Sequence, residues 1–490
     1  MVVAGYIEPL VRQLPMAYAI EVNRMIQIHM AGSIGRAMTT RTVISRTRRP
    51  DRSVSNNFSF TREMIPALVP GWDGPALIRD YRAQAWEEYQ RLPMPTVKEE
   101  AWRRTDLRGM DPSRFALPYQ EYAKRLPGAS PRLLRPLVDQ AHGGQLVLQP
   151  SGIQLHLDKV LSEKGVIFTD LMTAEREHAE ILSRVMGKIV PSSEGRFAAM
   201  AAAFAQNGAF VYIPAGVKVE SPLHSVLWGP GDNLAYFSHL IVYLEESASL
   251  TYVHEAASPG YVNKQTMHAG IVELHIGDGA ELKFVELQSW GDHVWNFSHE
   301  RARVNRNGTL DWIFGALGSR LTKNFSEIDL VGEGATGRMS GFYFTDGDQH
   351  LDHDTQQNHR APHTTSDLLF KGALKGRSRS VWQGMIYVAP GAEKTDGYQA
   401  NRNLVLSAQA RADSIPGLEI LADDVRCTHG ATVGKIDPEP VFYLLSRGIP
   451  YPDAERLIVE GFFDPIMQRI PFEGVRARFQ KAILNKMGSN

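Results

Sequence analysis

The sequence contains a single cysteine, Cys427, among 490 residues. One cysteine excludes an intrachain disulfide, and one copy of the chain cannot supply the four thiolates of an all-cysteine iron or zinc site. Any metal–sulfur group that contacts this chain must therefore share its ligands with another molecule. A second protein chain is the simplest source of those ligands.

An excess of charge of one sign and a long apolar run are also missing. The 53 basic and 54 acidic residues give a formal net charge of −1, which offers no general attraction to nucleic acid or to an anionic membrane. No apolar run approaches the roughly 20 residues that span a bilayer. We therefore expect neither a nucleic-acid partner nor a membrane partner.

The common nucleotide and nucleophile motifs are absent as well. The sequence has no P-loop and no G-x-S-x-G motif. Residues 332–337 spell G-x-G-x-x-G, but a dinucleotide fingerprint requires a helix next, and residues 338–344 have a strand-like sequence. We expect this chain to bind no nucleotide itself.

The first 57 residues differ from the rest in charge. No Asp or Glu occurs from Val22 to Pro50, where Arg, Ser and Thr accumulate. This composition is typical of an organellar transit peptide, and a start codon assigned too far upstream would leave a similar unfolded leader. We expect residues 1–57 to lie outside the fold. The expected location is cytoplasmic, with a plastid or mitochondrion as the alternative if the leader is a transit peptide.

Three regions follow the leader. Residues 58–190 have mostly helical patterns, residues 191–436 consist of short β-branched and aromatic runs between turns, and residues 437–490 are again helical. In the β-rich region, similar runs begin at residues 249, 281, 309 and 338, about 30 residues apart, with a second set of runs between them. This period predicts a mainly β fold, a right-handed parallel β-helix (β-solenoid), flanked by two helical regions. A β-sandwich is the alternative.

The ends of a solenoid expose unpaired strands, which need a cap or a partner. Residues 58–190 can cap one end. Beyond the other end, Asp437 and Pro438 suit the start of a helix over 442–447 that ends at Gly448. Helices over about 452–460 and 473–487 follow. Because these short apolar helices have little core of their own, we expect them to bind another protein.

The densest group of polar residues lies at 346–367. Its candidate ligands, His350, Asp352, His353 and His359, suit an iron, zinc or manganese site, so a metal-dependent β-solenoid enzyme is the alternative function. In a strand, however, Asp352 and Asp354 share one face and His353 lies on the other. We therefore interpret the group first as side chains that bond to turns and neighbouring coils.

Cys427 and His429 form a second candidate site. In a strand they project from the same face, with their Cβ atoms about 7 Å apart. A thiolate and an imidazole suit iron or zinc, but two ligands do not complete a site. The alternative is a buried cysteine that packs as a small apolar residue beside a hydrogen-bonded histidine.

Several stretches of the chain resemble one protein family. Residues 396–435, 442–448 and 455–462, together with residues 102–107, are similar to the SufB/SufD family of iron–sulfur cluster assembly proteins. The similarity extends over most of the chain from about residue 58. Motifs of this combined length are far more specific than any single pair of ligands.

Within that family the resemblance favours the SufD branch. SufB-type chains carry a functional cysteine near the position of Asn401, where this sequence has none. They also tend to have Glu-His-Glu in place of the Cys427-Thr428-His429 sequence found here.

The resemblance implies a non-catalytic scaffold. Family members pair, SufB with SufD, through their β-helices, and each binds one copy of the ABC-type ATPase SufC through its C-terminal helices. A transient iron–sulfur cluster or iron would lie at the subunit interface, where the resemblance places His429 with Cys427 beside it. The assembly would be hetero-oligomeric, with a homodimer as the alternative for the isolated chain. The residues implied for SufC binding are Phe442, Tyr443, Arg447, Leu457, Ile458 and Phe462.

Overall fold

The computed structural model describes residues 57–68, 76–118, 124–134, 142–206, 208–260, 264–470 and 473–488. The expected leader lies outside these ranges except for its last residue.

Nineteen strands in the described ranges form two sheets. The ten-stranded sheet contains β1 (Gly144–Gln149), β2 (Gly152–Leu157), β5 (Leu223–Trp228), β7 (Ser249–Ala257), β9 (Glu281–Ser289), β11 (Thr309–Ala316), β13 (Thr336–Thr345), β15 (Thr365–Leu374), β17 (Asp396–Val405) and β19 (Arg426–Gly434). The nine-stranded sheet contains β3 (Ile167–Asp170), β4 (Ala209–Ile213), β6 (Ala235–Leu244), β8 (Thr266–Ile276), β10 (Val294–Val304), β12 (Leu321–Leu330), β14 (His350–His359), β16 (Arg379–Val388) and β18 (Arg411–Ile420).

From β4 onward, consecutive strands alternate between the two sheets, so each coil adds one strand to each sheet. From β5 onward the neighbours in the ten-stranded sheet are parallel and in register, as in the ladder Trp312, Met339, Leu368. Inward side chains of successive coils therefore stack in the lumen between the sheets, where the largest apolar core lies. The predicted β-solenoid is confirmed, and the sandwich alternative is wrong. The G-x-G-x-x-G segment runs into strand β13 rather than a helix.

The helices before the solenoid cover one of its faces. They are α1 (Met64–Leu68), α2 (Ala76–Arg91), α3 (Pro131–Leu134), α4 (Lys159–Glu163), α5 (Leu171–Glu177), α6 (Ala179–Val185) and α7 (Arg196–Phe204), with short 3₁₀ turns at Glu100–Trp102, Pro112–Arg114 and Ser192–Glu194. Their aromatic residues, including Trp102 and Phe197, pack on the outer face of the nine-stranded sheet at Phe297. This region therefore covers the outer face of the nine-stranded sheet as well as capping the first coil. Strands β1 to β3 precede residue 191 and α7 follows it, so the chain does not change from helical to β at one point.

The C-terminal helices are α8 (Pro438–Ser446), α9 (Tyr451–Met467) and α10 (Glu473–Met487). As predicted, the Asp437 carboxylate accepts a hydrogen bond from the first turn of α8, at the Glu439 N–H, and Gly448 ends that helix at a φ of +83°. The second helix is longer than predicted. Among the described residues, no helix is both long and apolar enough to cross a bilayer.

The C-terminal helices have little core of their own, as expected, but α9 and α10 share a core with the solenoid. Val459, Phe463 and Phe479 are buried against the outer face of the ten-stranded sheet, where they meet Ile313 and Phe342. The sheet supplies the apolar surface that the helices lack. Helix α8 does not share this packing, because its main contacts are with α9 rather than with the sheet.

The last coil, β18 and β19, leaves the solenoid open. Val388 on β16 is completely buried, whereas its register partner Ile420 on β18 is 40% exposed. On β19 the inward residue Val433 is 47% exposed. Side chains that would be buried by one further coil are therefore uncovered by the described residues. We call the inward-facing positions of this last coil the mouth of the solenoid.

Candidate functional site

Cys427 lies at the mouth with its thiol turned toward the lumen. It is in register with Gly397 of β17, and a Cβ added to that glycine would lie 3.2 Å from Cys427 Sγ, 3.3 Å from Ile386 Cγ2 and 3.4 Å from His359 Nε2. Burial raises the pKa of the Cys427 thiol, and the nearby Asp396 carboxylate adds to the rise. At neutral pH the side chain is therefore a thiol, from which a bound metal would displace the proton.

His429 is the next inward position along β19 and is exposed. It is in register with Gln399, whose buried carboxamide donates to the Gly417 carbonyl at 2.8 Å and to the Gly384 carbonyl at 3.4 Å. Gln399 therefore crosses the lumen and forms a polar floor beneath His429. The strand brings Cys427 and His429 to one face as predicted, and their role as metal ligands stays a prediction.

The outward half of the 346–367 group binds the N-terminal region. Lys323 Nζ lies 3.0 Å from Asp352 Oδ1 and 2.9 Å from Asp354 Oδ2, and its side chain is completely buried. Thr105 hydrogen-bonds to Asp352, and its Oγ1 lies 3.0 Å from His350 Nε2. Burial raises the pKa of Asp354 to about 6, although the Lys323 ammonium opposes the rise.

The inward half of the same group consists of separate histidines. His353 is packed among the rings of Phe314, Tyr343 and Phe370, while His359 hydrogen-bonds to two hydroxyls. Within the described ranges, no three His, Cys, Asp or Glu side chains are placed to hold a metal ion. The geometry thus gives no support to a metal-dependent enzyme that uses His350, Asp352, His353 and His359, because strand alternation sends them to opposite sides of β14.

The residues expected to bind an ATPase occupy two kinds of position. Phe442, Tyr443 and Leu457 are 44%, 57% and 40% exposed, and the Arg447 guanidinium lies 5.3 Å from the Tyr443 ring centroid. These residues offer an exposed apolar and cationic surface.

The other two expected residues are less exposed. Ile458 is half-buried, and so is Phe462, whose ring faces the ammonium of Lys371 on β15. Lys371 also donates to the Phe462 carbonyl at 2.6 Å. Phe462 therefore anchors α9 to the solenoid as well.

Comparison with known proteins identifies the family. Residues 227–462 match the model described as "SUF system FeS cluster assembly, SufBD core domain", and residues 72–224 match that of the "SufBD protein N-terminal region". The chain belongs to the SufBD family. The first match spans strands β6 to β19, the mouth and α8, and the second includes most of the helices that cover the nine-stranded sheet.

Relatives of this SufBD chain match over most of its length. The iron–sulfur cluster assembly SufBD family proteins of Staphylococcus haemolyticus and Staphylococcus epidermidis are each 29% identical over 426 residues, which is 84% of this chain and 90% of the relative. The corresponding Staphylococcus aureus protein is 28% identical over the same length.

Two features of this SufBD chain are not evident from its sequence. The first is the position of His359 behind Cys427, because the two residues are far apart in the sequence and come from opposite sheets. The second feature is a cavity of about 30 Å³ in the lumen, lined in part by Glu286, Glu300 and Ser298. Burial raises the pKa of both carboxyls, and their mutual repulsion adds to the rise for Glu286. Strand alternation could have revealed Glu286, since it shares a face with Leu282 and Phe284.

Proposed function

We propose that this chain is the SufD-type subunit of a SufBCD complex and acts as a scaffold rather than as an enzyme. The observation that carries the proposal is the mouth. Here the last coil leaves apolar residues, a thiol and an imidazole uncovered instead of closing the lumen. A second solenoid of the same kind, a SufB-type chain, would cover this coil and add the missing ligands. A nascent iron–sulfur cluster or iron is then cargo shared by the two chains.

The absence of a cysteine near position 401 supports the SufD assignment over a SufB assignment. Asn401 is buried and hydrogen-bonded within the lumen, where its amide contacts Ser414 and Asn403. This position is thus filled by a structural polar network and offers no thiol to accept sulfur.

The exposed surface of α8 and the start of α9 supports a SufC-type ATPase as the third partner. Phe442, Tyr443 and Leu457 are large apolar side chains that remain exposed among the described residues. Aromatic residues with a nearby arginine are typical of the residues that dominate protein–protein affinity. ATP would be bound and hydrolysed by that partner.

Co-expression with SufB-type and SufC-type chains tests the proposal. With a tag on this chain alone, we expect all three to co-purify. His429→Ala should leave that complex intact and lower the amount of cluster it assembles, measured by its visible absorption. Three folded chains that do not associate would reject the proposal, and loss of association in His429→Ala would give the residue a structural role instead.

A further inference from the structure

The nearest nitrogen ligand to the Cys427 thiol need not come from its own strand. Cys427 Sγ and His359 Nε2 lie 3.2 Å and 3.4 Å from the same point, the Cβ position that Gly397 leaves empty. The two atoms are therefore no further apart than the sum of these distances. His359 belongs to β14 in the opposite sheet, so the pair bridges the lumen directly below the mouth.

The imidazole of His359 is held in the orientation of a metal ligand. Its Nδ1 lies 2.8 Å from Thr364 Oγ1, and the Thr364 hydroxyl itself donates to the Ala361 carbonyl at 3.1 Å. Thr364 therefore accepts the Nδ1–H, which leaves the lone pair on Nε2. Metal-binding histidines usually have their second nitrogen fixed by such a hydrogen bond.

Only a rotatable group competes for that lone pair. Ser366 Oγ lies 2.8 Å from His359 Nε2, and its hydroxyl can turn away when another atom approaches.

We infer that His359 is the nitrogen ligand that acts with the Cys427 thiolate to hold a divalent cation such as ferrous iron at the mouth. The inference rests on the proposed function for the identity of the cargo. One thiolate and one imidazole suit iron, cobalt or zinc. Binding exchanges the thiol proton for the metal, so one proton leaves for each cation bound. His429, exposed beyond this pair, is left to face the partner chain.

Cobalt(II) binding to the isolated full-length chain tests the assignment. A thiolate ligand produces a sulfur-to-cobalt charge-transfer absorption, which we expect for the unaltered chain and not for Cys427→Ser. Thr364→Val removes the acceptor of the Nδ1–H and should weaken cobalt binding by about 10- to 100-fold. His359→Gln removes the ligand itself and should weaken cobalt binding by more than Thr364→Val does.

A pair of glycine variants provides the matched control. Gly397→Ala adds a Cβ that presses on both Cys427 and His359, and it should weaken binding. Gly430→Ala lies on β19, where an added Cβ meets no atom within 4 Å, and it should bind as the unaltered chain does. Thermal unfolding of each variant confirms that the fold is retained.

Two results would overturn the assignment. One is an unaltered chain that shows no charge-transfer absorption with cobalt. The other is binding that survives His359→Gln and is lost in His429→Ala. Because the measurement uses this chain alone, failure to find a SufB-type or SufC-type partner would reject the proposed function without changing the result here.

Discussion

At the scale of single residues, Lys323 joins the solenoid to the region that covers it. Its ammonium pairs with Asp352 and Asp354 and lies 4.8 Å from the Phe325 ring centroid. Asp352 also accepts a hydrogen bond from Thr105, more than 200 residues earlier in the chain. A buried pair contributes little over an apolar substitute, but the removal of one partner leaves the other charge uncompensated.

Lys323→Met should therefore lower the free energy of unfolding by about 3–5 kcal/mol. The control is Lys159→Met, which removes an exposed pair with Glu163 and should change stability by less than about 0.5 kcal/mol. Urea unfolding of both variants measures the difference. Equal losses in the two variants would show that Lys323 is not the anchor described here.

The residue scale also shows how far a local pattern reaches. Alternation along a strand correctly placed Asp352 and Asp354 on one face and His353 on the other. It could not show that Thr105 covers the first face, because that contact joins distant parts of the chain. For the same reason it paired Cys427 with His429 and missed His359, which comes from the opposite sheet.

At the scale of elements, α8 and α9 differ in what they contact. Phe463 of α9 is fully buried against Phe342, whereas Phe442 of α8 is 44% exposed. One phenylalanine therefore serves the fold and the other is available to a partner.

This difference gives a paired prediction. Phe463→Ala should cost about 3–5 kcal/mol of stability, as for other buried aromatic truncations. Phe442→Ala should leave stability within about 0.5 kcal/mol and weaken binding of a SufC-type ATPase by at least about 10-fold. Urea unfolding and calorimetric titration measure the two effects. Unchanged affinity in Phe442→Ala would remove α8 from the proposed interface.

Local cap residues were easier to predict than helix length. The Asp437 cap and Gly448 stop bound α8 as predicted, because these signals act locally. Helix α9 continues past Gly461 to Met467, since Phe463 and Ile466 gain buried contacts with the sheet. Tertiary packing of this kind outweighs the weak helix propensity of a single glycine.

At the scale of the whole molecule, buried neutral histidines link stability to pH. Burial lowers the pKa of His254 and His353 to about 3 and that of His268 to about 4. The unfolded chain protonates these groups near pH 6.5, so it binds more protons than the folded chain between about pH 6.5 and 4. The free energy of unfolding should therefore fall as the pH drops below about 6.5. The raised pKa values of the Glu286 and Glu300 carboxyls act in the opposite direction.

His353→Met tests this linkage. Below about pH 6, each buried neutral histidine contributes about 1.4 kcal/mol per pH unit to the slope, so removal of one should make the loss shallower by about that amount. Above pH 7 the variant should be nearly as stable, because Met fills a similar volume among the same rings. Urea unfolding at a series of pH values measures the slope. An unchanged slope would contradict the account.

The global fold was the most predictable level. A repeat of about 30 residues with two strands is a strong signal, since each coil must bury the next. The side on which the helices pack could not be predicted, because apolar residues on the outer faces of the sheets look the same in sequence as those of the lumen. The sequence predicted that an end of the solenoid would need a cap or a partner, but it did not show which inward side chains the last coil leaves uncovered.

We expect a second chain to complete the mouth. Because Cys427 is the only thiol in this sequence, its rate of alkylation, followed by mass spectrometry of this chain, reports on the mouth alone. The account predicts slow but complete modification of the isolated chain and strong protection in the complex with a SufB-type partner. A stable complex in which Cys427 reacts as fast as in the free chain would contradict it.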